Sequence, residues 1–231
     1  MCGRYTMRHS ESEVSEAFDA LSPGLGLGPR FNIAPTQDIL VVRPSDGPEG
    51  GRELARARWG LLPGWVDDPD DFPTLINARS ESARTKPSFR DAFRSRRCLV
   101  PADGFYEWKK TGSGKQPWYV RRTADRLFAF AGLWDRWERG DRRVDSATIL
   151  TTSPSDLLAS LHDRMPVILP EARWAAWMDP DLPAGEAEDL LVPYGGDDLE
   201  TYEVSRHVNS PTHDDAACVR PADDGTEATG R

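Results

Sequence analysis

The first residues of the chain, Met1-Cys2-Gly3-Arg4, carry its most distinctive chemical groups. Removal of Met1 would give Cys2 a free α-amine beside its thiol, which is a 1,2-aminothiol. An α-amine has a pKa of about 7.7–8.0, against about 10.4 for lysine, so roughly a third of it is neutral and nucleophilic near pH 7.5. The amine can attack an aldehyde to form a Schiff base, and the thiol can then close a thiazolidine ring. Arg4 adds a fixed positive charge that suits a phosphate.

Further polar residues could move protons or orient a substrate. Glu107 lies in an aromatic strand pattern, where alternation places it on the face of Phe105 and opposite Tyr106. A carboxylate there is costly to desolvate, so it either serves a site or pairs with an arginine. His162 follows a predicted helix and is either an acid–base group or a cap of that helix. Asn77 either contacts the site or forms a turn.

The charge distribution leaves a nucleic-acid partner open. The net charge of −9, from 38 acidic and 29 basic residues, argues against such a partner at first sight. Residues 79–97, however, hold seven basic side chains against two acidic ones, and 25 of the 29 basic residues are arginine. Arginine suits a phosphate better than lysine does, because its guanidinium group can donate two parallel hydrogen bonds. The segment therefore predicts a phosphate track, with a solvated helix face as the alternative.

Length and composition bound the class of protein. A chain of 231 residues can bury one substantial core, and it shows no internal repeat. Without a long apolar run or a hydrophobic signal segment, a cytoplasmic location is expected. The three cysteines, Cys2, Cys98 and Cys218, are widely spaced, which argues against a disulfide framework and a Cys-x-x-Cys zinc site. No metal or cofactor is expected.

The pattern of elements predicts an α+β fold. Short strand patterns dominate, with a capping box at Ser10 and Glu13 ahead of a helix to Leu21, a hairpin turn at 111–115 and a last strand at 202–208. We expect a single domain, residues 1–213, with a mostly antiparallel, partly barrel-like β-sheet flanked by short helices. The composition of residues 214–231 predicts a disordered tail.

Six motifs follow one another along the chain. They are Met-Cys-Gly-Arg-Tyr, Phe31-Asn32-Ile33-Ala34-Pro35, Trp59-Gly60-Leu61-Leu62-Pro63-Gly64-Trp65, Asn77-Ala78-Arg79-Ser80-Glu81, the segment from Arg97 to Trp108, and His162-Asp163-Arg164-Met165-Pro166. Their order resembles the SRAP family of abasic-site processing proteins, from Cys2 to about Pro211. The resemblance implies a protein that captures abasic sites in single-stranded DNA as a thiazolidine crosslink. It also implies possible action at junctions between single-stranded and double-stranded DNA.

The resemblance also implies roles for particular residues. Cys2 matches the family nucleophile, Asn77 and Glu107 its active-site polar residues, and His162 its acid–base histidine. The family's phosphate-facing positions correspond to Arg4, Arg79 and Arg164. Its positions that hold or wedge the bases correspond to Asn32, Pro35 and Trp65. One departure is visible, because Val66 stands where some members have a second tryptophan, which puts a stacking contact in doubt.

Related and alternative activities follow from the same residues. An imine that fails to close could undergo β-elimination, so lyase activity is expected beside crosslinking, and removal of Met1 would be autopeptidase-like. The rival of another class is an N-terminal-cysteine glutamine amidotransferase or amidohydrolase, in which the thiol of Cys2 attacks an amide. A DNA-binding module with an incidental cysteine is the third interpretation.

Overall fold

The structure, a computed structural model, describes residues 2–45, 47, 50–112 and 114–222. The strands are β1 (Tyr5–Met7), β2 (Arg30–Ile33), β3 (Asp38–Pro44), β4 (Arg52–Trp59), β5 (Asn77–Arg79), β6 (Arg97–Ala102), β7 (Gly104–Thr111), β8 (Gly114–Arg122), β9 (Phe128–Arg139), β10 (Arg142–Thr152), β11 (Met165–Pro166), β12 (Ile168–Leu169) and β13 (Leu199–Glu203). The helices are α1 (Glu11–Phe18), α2 (Ser80–Ala83), α3 (Arg90–Ser95), α4 (Asp156–Ala159), α5 (Trp174–Met178) and α6 (Ala184–Asp189).

The larger sheet closes on itself. Its strands follow the order β10-β4-β3-β6-β9, and β9 pairs again with β10. Closure leaves these strands without free edges, which would otherwise invite pairing with other chains. The pairs of β10 with β4 and β5 are parallel, whereas the other pairs in this sheet are antiparallel. The predicted α+β fold with a mostly antiparallel, partly barrel-like sheet and short helices is confirmed.

The smaller sheet has the strand order β13-β8-β7-β1-β2 and carries the predicted hairpin, β7 and β8. Alternation along β7 sends Phe105 into the main core and Tyr106 into a separate cluster with Tyr119. Gly104 begins this strand, and a Cβ there would overlap the Tyr119 ring. The two faces of β7 therefore serve two different packing layers, as the alternation predicted.

Helix α1 begins at the predicted capping box. The Ser10 backbone N–H donates to Glu13 Oε2 at 2.7 Å, and the Glu13 N–H donates to Ser10 Oγ at 3.3 Å. The helix ends before the predicted Leu21, because Asp19 adopts a left-handed conformation with φ of 47°. Among the described residues, no helix has the length and apolar character needed to cross a membrane.

The carboxyl-terminal region departs from the sequence prediction. Strand β13 ends at Glu203, and a 3-10 turn, Arg206–Asn209, follows where a strand to residue 208 was expected. Residues 214–222 are ordered, because Asp214 accepts hydrogen bonds from the backbone N–H groups of Phe31 and Asn32 at 2.6 and 2.8 Å. Asp214, where the sequence predicts that a disordered tail begins, thus contacts β2. Residues 223–231 lie outside the described residues.

Candidate active site

Strand pairing places the amino-terminal segment beside β7. Tyr5 pairs with Phe105, and the Tyr106 N–H donates to the Arg4 carbonyl at 3.0 Å. Continuing this antiparallel register sets Gly3 opposite Glu107. Cys2 is fully buried, and its thiol donates to the Arg4 carbonyl at 3.6 Å. The sheet thus holds Cys2 beside the middle of β7, the strand that carries the buried carboxylate of Glu107.

Asn77 reaches the same point from the larger sheet. It begins β5, which pairs in parallel with β10. Its Nδ2 donates to the Cys2 carbonyl at 2.8 Å, and its buried Oδ1 has no hydrogen-bond partner among the described residues. A buried acceptor without a partner is costly. Asn77 therefore offers an unused acceptor next to residue 2.

The carboxyl group of Glu107 is 3% exposed. Burial raises the pKa of Glu107 to about 7, and the charge of Asp163 acts in the same direction, whereas the Trp108 backbone N–H opposes it. The pKa of the Cys2 thiol is also raised, first by burial and then by the charge of Glu107. Glu107 can thus gain or lose a proton near neutral pH, while the thiol stays protonated.

His162 lies in the loop between α4 and β11. Its backbone N–H donates to the Leu158 carbonyl at 3.1 Å, which completes the last turn of α4. Its ring Nδ1 accepts from the Arg164 N–H at 3.0 Å and lies 2.7 Å from Asp163 Oδ1. Burial lowers the pKa of His162. The backbone of His162 thus serves the helix end, and its ring contacts the loop residues Asp163 and Arg164.

A cleft of about 630 Å³ opens beside these residues. Its lining includes His162, Trp108, Arg79, Arg164 and the consecutive lysines 109 and 110. The four positive side chains outnumber Asp163, the acidic residue of the lining, so the cleft is basic despite the negative net charge of the chain. An anionic ligand in this cleft would lie against the ring of His162.

The two arginines of the cleft differ in their partners. Arg164 forms two hydrogen bonds with the Glu81 carboxylate, at 2.5 and 2.9 Å, and its side chain also donates to the Thr151 carbonyl. Arg79 is exposed, and its side chain makes no hydrogen bond or ion pair with the described residues, whereas its backbone pairs with Thr151 of β10. Arg79 is therefore the better candidate for a direct phosphate contact, and Arg164 needs Glu81 to release it first.

Two residues predicted to contact DNA, Asn32 and Arg4, make hydrogen bonds to the carboxyl-terminal segment. Asn32 is fully buried, and its Nδ2 donates to the carbonyls of Val208, Ser210 and His213. Arg4 donates to Asn32 Oδ1 at 2.8 Å and to the Val208 carbonyl at 2.9 Å. The Asn32 amide is thus not accessible to a base in this conformation, and Arg4 is committed to the carboxyl-terminal segment.

The predicted base-contacting residues Pro35 and Trp65 lie outside the lining of the cleft. Pro35 is half-buried in a tight turn. Trp65 is 52% exposed and meets Phe72 edge-on, with ring centroids 5.8 Å apart. Val66 is buried beside Trp137, so its side chain does not provide a surface for base stacking. Trp65 alone keeps an exposed aromatic face in this loop.

The predicted continuous phosphate track over residues 79–97 is wrong. Arg97 is buried and donates to the backbone carbonyls of Trp177 and Phe93 at 2.7 and 2.8 Å. Arg96 pairs with Asp135 at 3.1 Å. A strand and two helices divide the run, so these guanidinium groups point to different parts of the molecule.

Sequence reasoning missed several residues that shape the site. Glu81 controls Arg164, Asp163 lies against His162, and the lysines at 109 and 110 add charge to the cleft. Glu81 follows Asn77 in one motif, and the lysines follow Trp108 directly. Their proximity in sequence was the available signal, but Glu81 and Arg164 are 83 positions apart, so their pairing is visible only in the fold.

Fold and site together define a protein with a buried amino-terminal cysteine beside a titratable carboxylate and a basic cleft. The profile of the SOS response associated peptidase (SRAP) family matches residues 1–211. The abasic site processing proteins YoqW and YoaM of Bacillus subtilis are 40% and 39% identical over 216 and 221 residues, covering 91% and 94% of this chain and 95% and 96% of theirs. A crystal structure of a Bacteroides thetaiotaomicron protein superposes with a TM-score of 0.87 at 26% identity, covering 96% of this chain and 100% of that one. The chain belongs to the SRAP family.

Proposed function

We propose that this chain processes abasic sites in single-stranded DNA, junctions with duplex included, by forming a thiazolidine crosslink through Cys2 after Met1 is removed. One observation carries the proposal. Cys2 lies next to Asn77 and to Glu107, whose carboxyl group has a pKa of about 7, and a basic cleft lies beside them. The names of the Bacillus subtilis relatives support abasic sites as the target.

The proposed reaction begins at the C1′ aldehyde of the ring-opened deoxyribose. The neutral amine of Cys2 adds to it, and Glu107 accepts a proton from the nitrogen. The resulting carbinolamine loses water to form the imine. The thiol then adds to the imine carbon, and its proton passes to the nitrogen as the ring closes. The balance is one new C–N bond, one new C–S bond and one water released.

Asn77 and His162 assist these reaction steps. The unused Oδ1 of Asn77 can accept a hydrogen bond from the amine or from a sugar hydroxyl. His162 can protonate the sugar ring oxygen as the ring opens and recover its proton from water. An imine that does not close loses the 3′ phosphate by β-elimination, which gives the proposed lyase activity. Removal of Met1 requires hydrolysis of one peptide bond, the proposed autopeptidase-like step.

Intact-mass measurement tests the proposal. The chain lacking Met1 is incubated with an abasic oligonucleotide, with the same oligonucleotide carrying a tetrahydrofuran analogue, and with the undamaged strand. The abasic strand should add its own mass less one water, and the tetrahydrofuran strand should add nothing because it has no aldehyde. No adduct with the abasic strand, or equal adducts with all three, would sink the idea.

The His162→Ala variant is expected to bind DNA normally but to crosslink about 100-fold more slowly, because general acid–base groups typically contribute at least that factor. The rate should also lose part of its pH dependence near neutrality. The variant should fold, since the helix-closing hydrogen bond of residue 162 uses the backbone. Circular dichroism checks the fold, and a variant with wild-type kinetics would remove His162 from the mechanism.

The Arg79→Ala variant is expected to weaken binding to single strands of every sequence by a similar factor, since a phosphate contact carries no base information. Loss of one contact should flatten the slope of log affinity against log salt by about 0.7. Arg90→Ala is the matched control, because Arg90 is equally exposed but lies on α3 outside the cleft lining. Equal slopes for the two variants would contradict a phosphate contact at Arg79.

A further inference from the structure

A cluster of potential metal-ligating side chains lies in the carboxyl-terminal segment and does not include Cys2. The Nε2 atom of His207 lies 3.1 Å from Asp215 Oδ2, and the thiol of Cys218 is the third member of the cluster. The three potential ligand atoms all lie within 4.8 Å of one another. Cys218 is fully buried, His207 is half-buried and Asp215 is exposed. The cluster is thus open to solvent on one side and closed by the thiol on the other.

We propose that His207, Asp215 and Cys218 form a binding site for a divalent metal ion of the zinc class. Zinc takes imidazole, carboxylate and thiolate ligands at about 2.0–2.3 Å, so tetrahedral ligands lie roughly 3.3–3.8 Å apart. His207 Nε2 and Asp215 Oδ2 are 3.1 Å apart, about 0.2 Å short of this range, so a small side-chain rotation would bring them to the required separation. A movement of about 1 Å by the thiol would bring the third ligand into place, and water on the exposed side would supply the fourth.

The surrounding structure holds these ligands in position. The ring of His213 stacks on that of His207, with centroids 3.9 Å apart and planes 10° from parallel, and its Nδ1 lies 2.7 Å from the His207 carbonyl. Asp215 Oδ1 accepts from the Ala217 N–H at 2.8 Å, which leaves Oδ2 for the metal. Little ordering is then needed when the ion arrives, and outer contacts of this kind raise metal affinity.

Binding exchanges one set of contacts for another. The thiol of Cys218 donates to the His213 carbonyl at 3.4 Å, and it must lose this proton to become a thiolate ligand. Its proton passes to solvent, and the hydrogen bond between His207 and Asp215 gives way to two metal–ligand bonds.

A metal here would stabilise the segment that supports the amino-terminal strand. The carbonyls of Val208 and Asn209, next to His207, accept from the Arg4 guanidinium. Asp214, next to Asp215, accepts from the backbone of β2. The ion would therefore lock residues 207–218 onto the sheet that carries Cys2 without touching Cys2. This role is independent of the proposed abasic-site chemistry.

Cobalt(II) titration of the full chain tests the site directly. We expect about one equivalent to bind, with a thiolate-to-cobalt charge-transfer band and the visible bands of tetrahedral cobalt, and zinc should displace it. Cys218→Ser should abolish the charge-transfer band. Cys2→Ser is the matched control and should keep it, since Cys2 is also buried and lies near a carboxylate, that of Glu107, but does not belong to the cluster. A band lost in Cys2→Ser and kept in Cys218→Ser, or no band in the native chain, would overturn the proposal.

A second measurement covers the case in which the buried Cys218→Ser variant unfolds. His207→Gln and Asp215→Asn change groups with solvent contact, and both should retain the native circular dichroism spectrum. Each should weaken zinc affinity at least tenfold and remove the rise in melting temperature that zinc produces in the native chain. Unchanged zinc affinity in both variants would refute the assignment.

Discussion

Blocking the α-amine of Cys2 is expected to abolish both the crosslink to abasic DNA and the cleavage of the abasic strand. A variant with uncleavable residues ahead of Cys2 keeps the thiol in place, but its nitrogen is an amide and cannot form an imine. A thiol alone gives a labile hemithioacetal with an aldehyde. Denaturing gels with and without borohydride should therefore show crosslinking and strand cleavage at background. Crosslinking equal to that of the native chain would show that the amino-terminal mechanism is wrong.

Substitutions that keep the amine separate the two nucleophiles of Cys2. Cys2→Ser retains an amine but has a poorer group for ring closure, so it should give an imine that borohydride traps and little durable crosslink without it. Cys2→Ala should behave likewise and retain some strand cleavage, because its imine cannot close. Both variants serve as controls for the blocked chain, since they preserve the amine that it lacks.

The stability of the chain is expected to fall as pH rises from about 4.5 to about 7, because Glu107 is buried. Its carboxyl group has an ordinary pKa of 4.5 but a pKa of about 7 in the folded chain. Between these values the folded state keeps a proton that the unfolded state has lost, so raising the pH favours unfolding. The difference corresponds to about 3 kcal/mol of stability, present in full below pH 4.5 and lost above about pH 7.

Urea unfolding of the native chain and of Glu107→Gln from pH 5 to pH 8 measures this effect. The variant keeps the shape but carries no charge, so its stability should lose this pH dependence and exceed that of the native chain at pH 8 by up to about 3 kcal/mol. Glu16→Gln, which removes an exposed carboxylate from α1, should keep the native profile. All proteins need Met1 in the same state, because a free amine at Cys2 would favour the charged carboxylate. Parallel profiles for the native chain and Glu107→Gln would contradict the burial effect.

Several features could be predicted from the sequence because they depend on neighbouring residues. The capping box at Ser10 starts α1, and the aromatic alternation around Glu107 separates the two faces of β7. Each depends on spacing within a few residues, since hydrogen bonds of a helix end and the period of a strand are local. The ordered motifs from Cys2 to Pro211 also predicted the family, which the profile match over residues 1–211 confirmed.

Other features were decided by the tertiary structure. Asn32, Arg4 and Arg97 looked like polar groups available to DNA, yet they donate to backbone carbonyls far away in sequence. Asp214 looked like the start of a polar tail until its contact with β2 was seen. Sequence alone identified Cys2 as the proposed nucleophile and predicted the local elements, because both depend on covalent neighbours. The fold decided which charges are free, which are buried and which pKa values shift, because burial and long-range partners exist only once distant strands have packed.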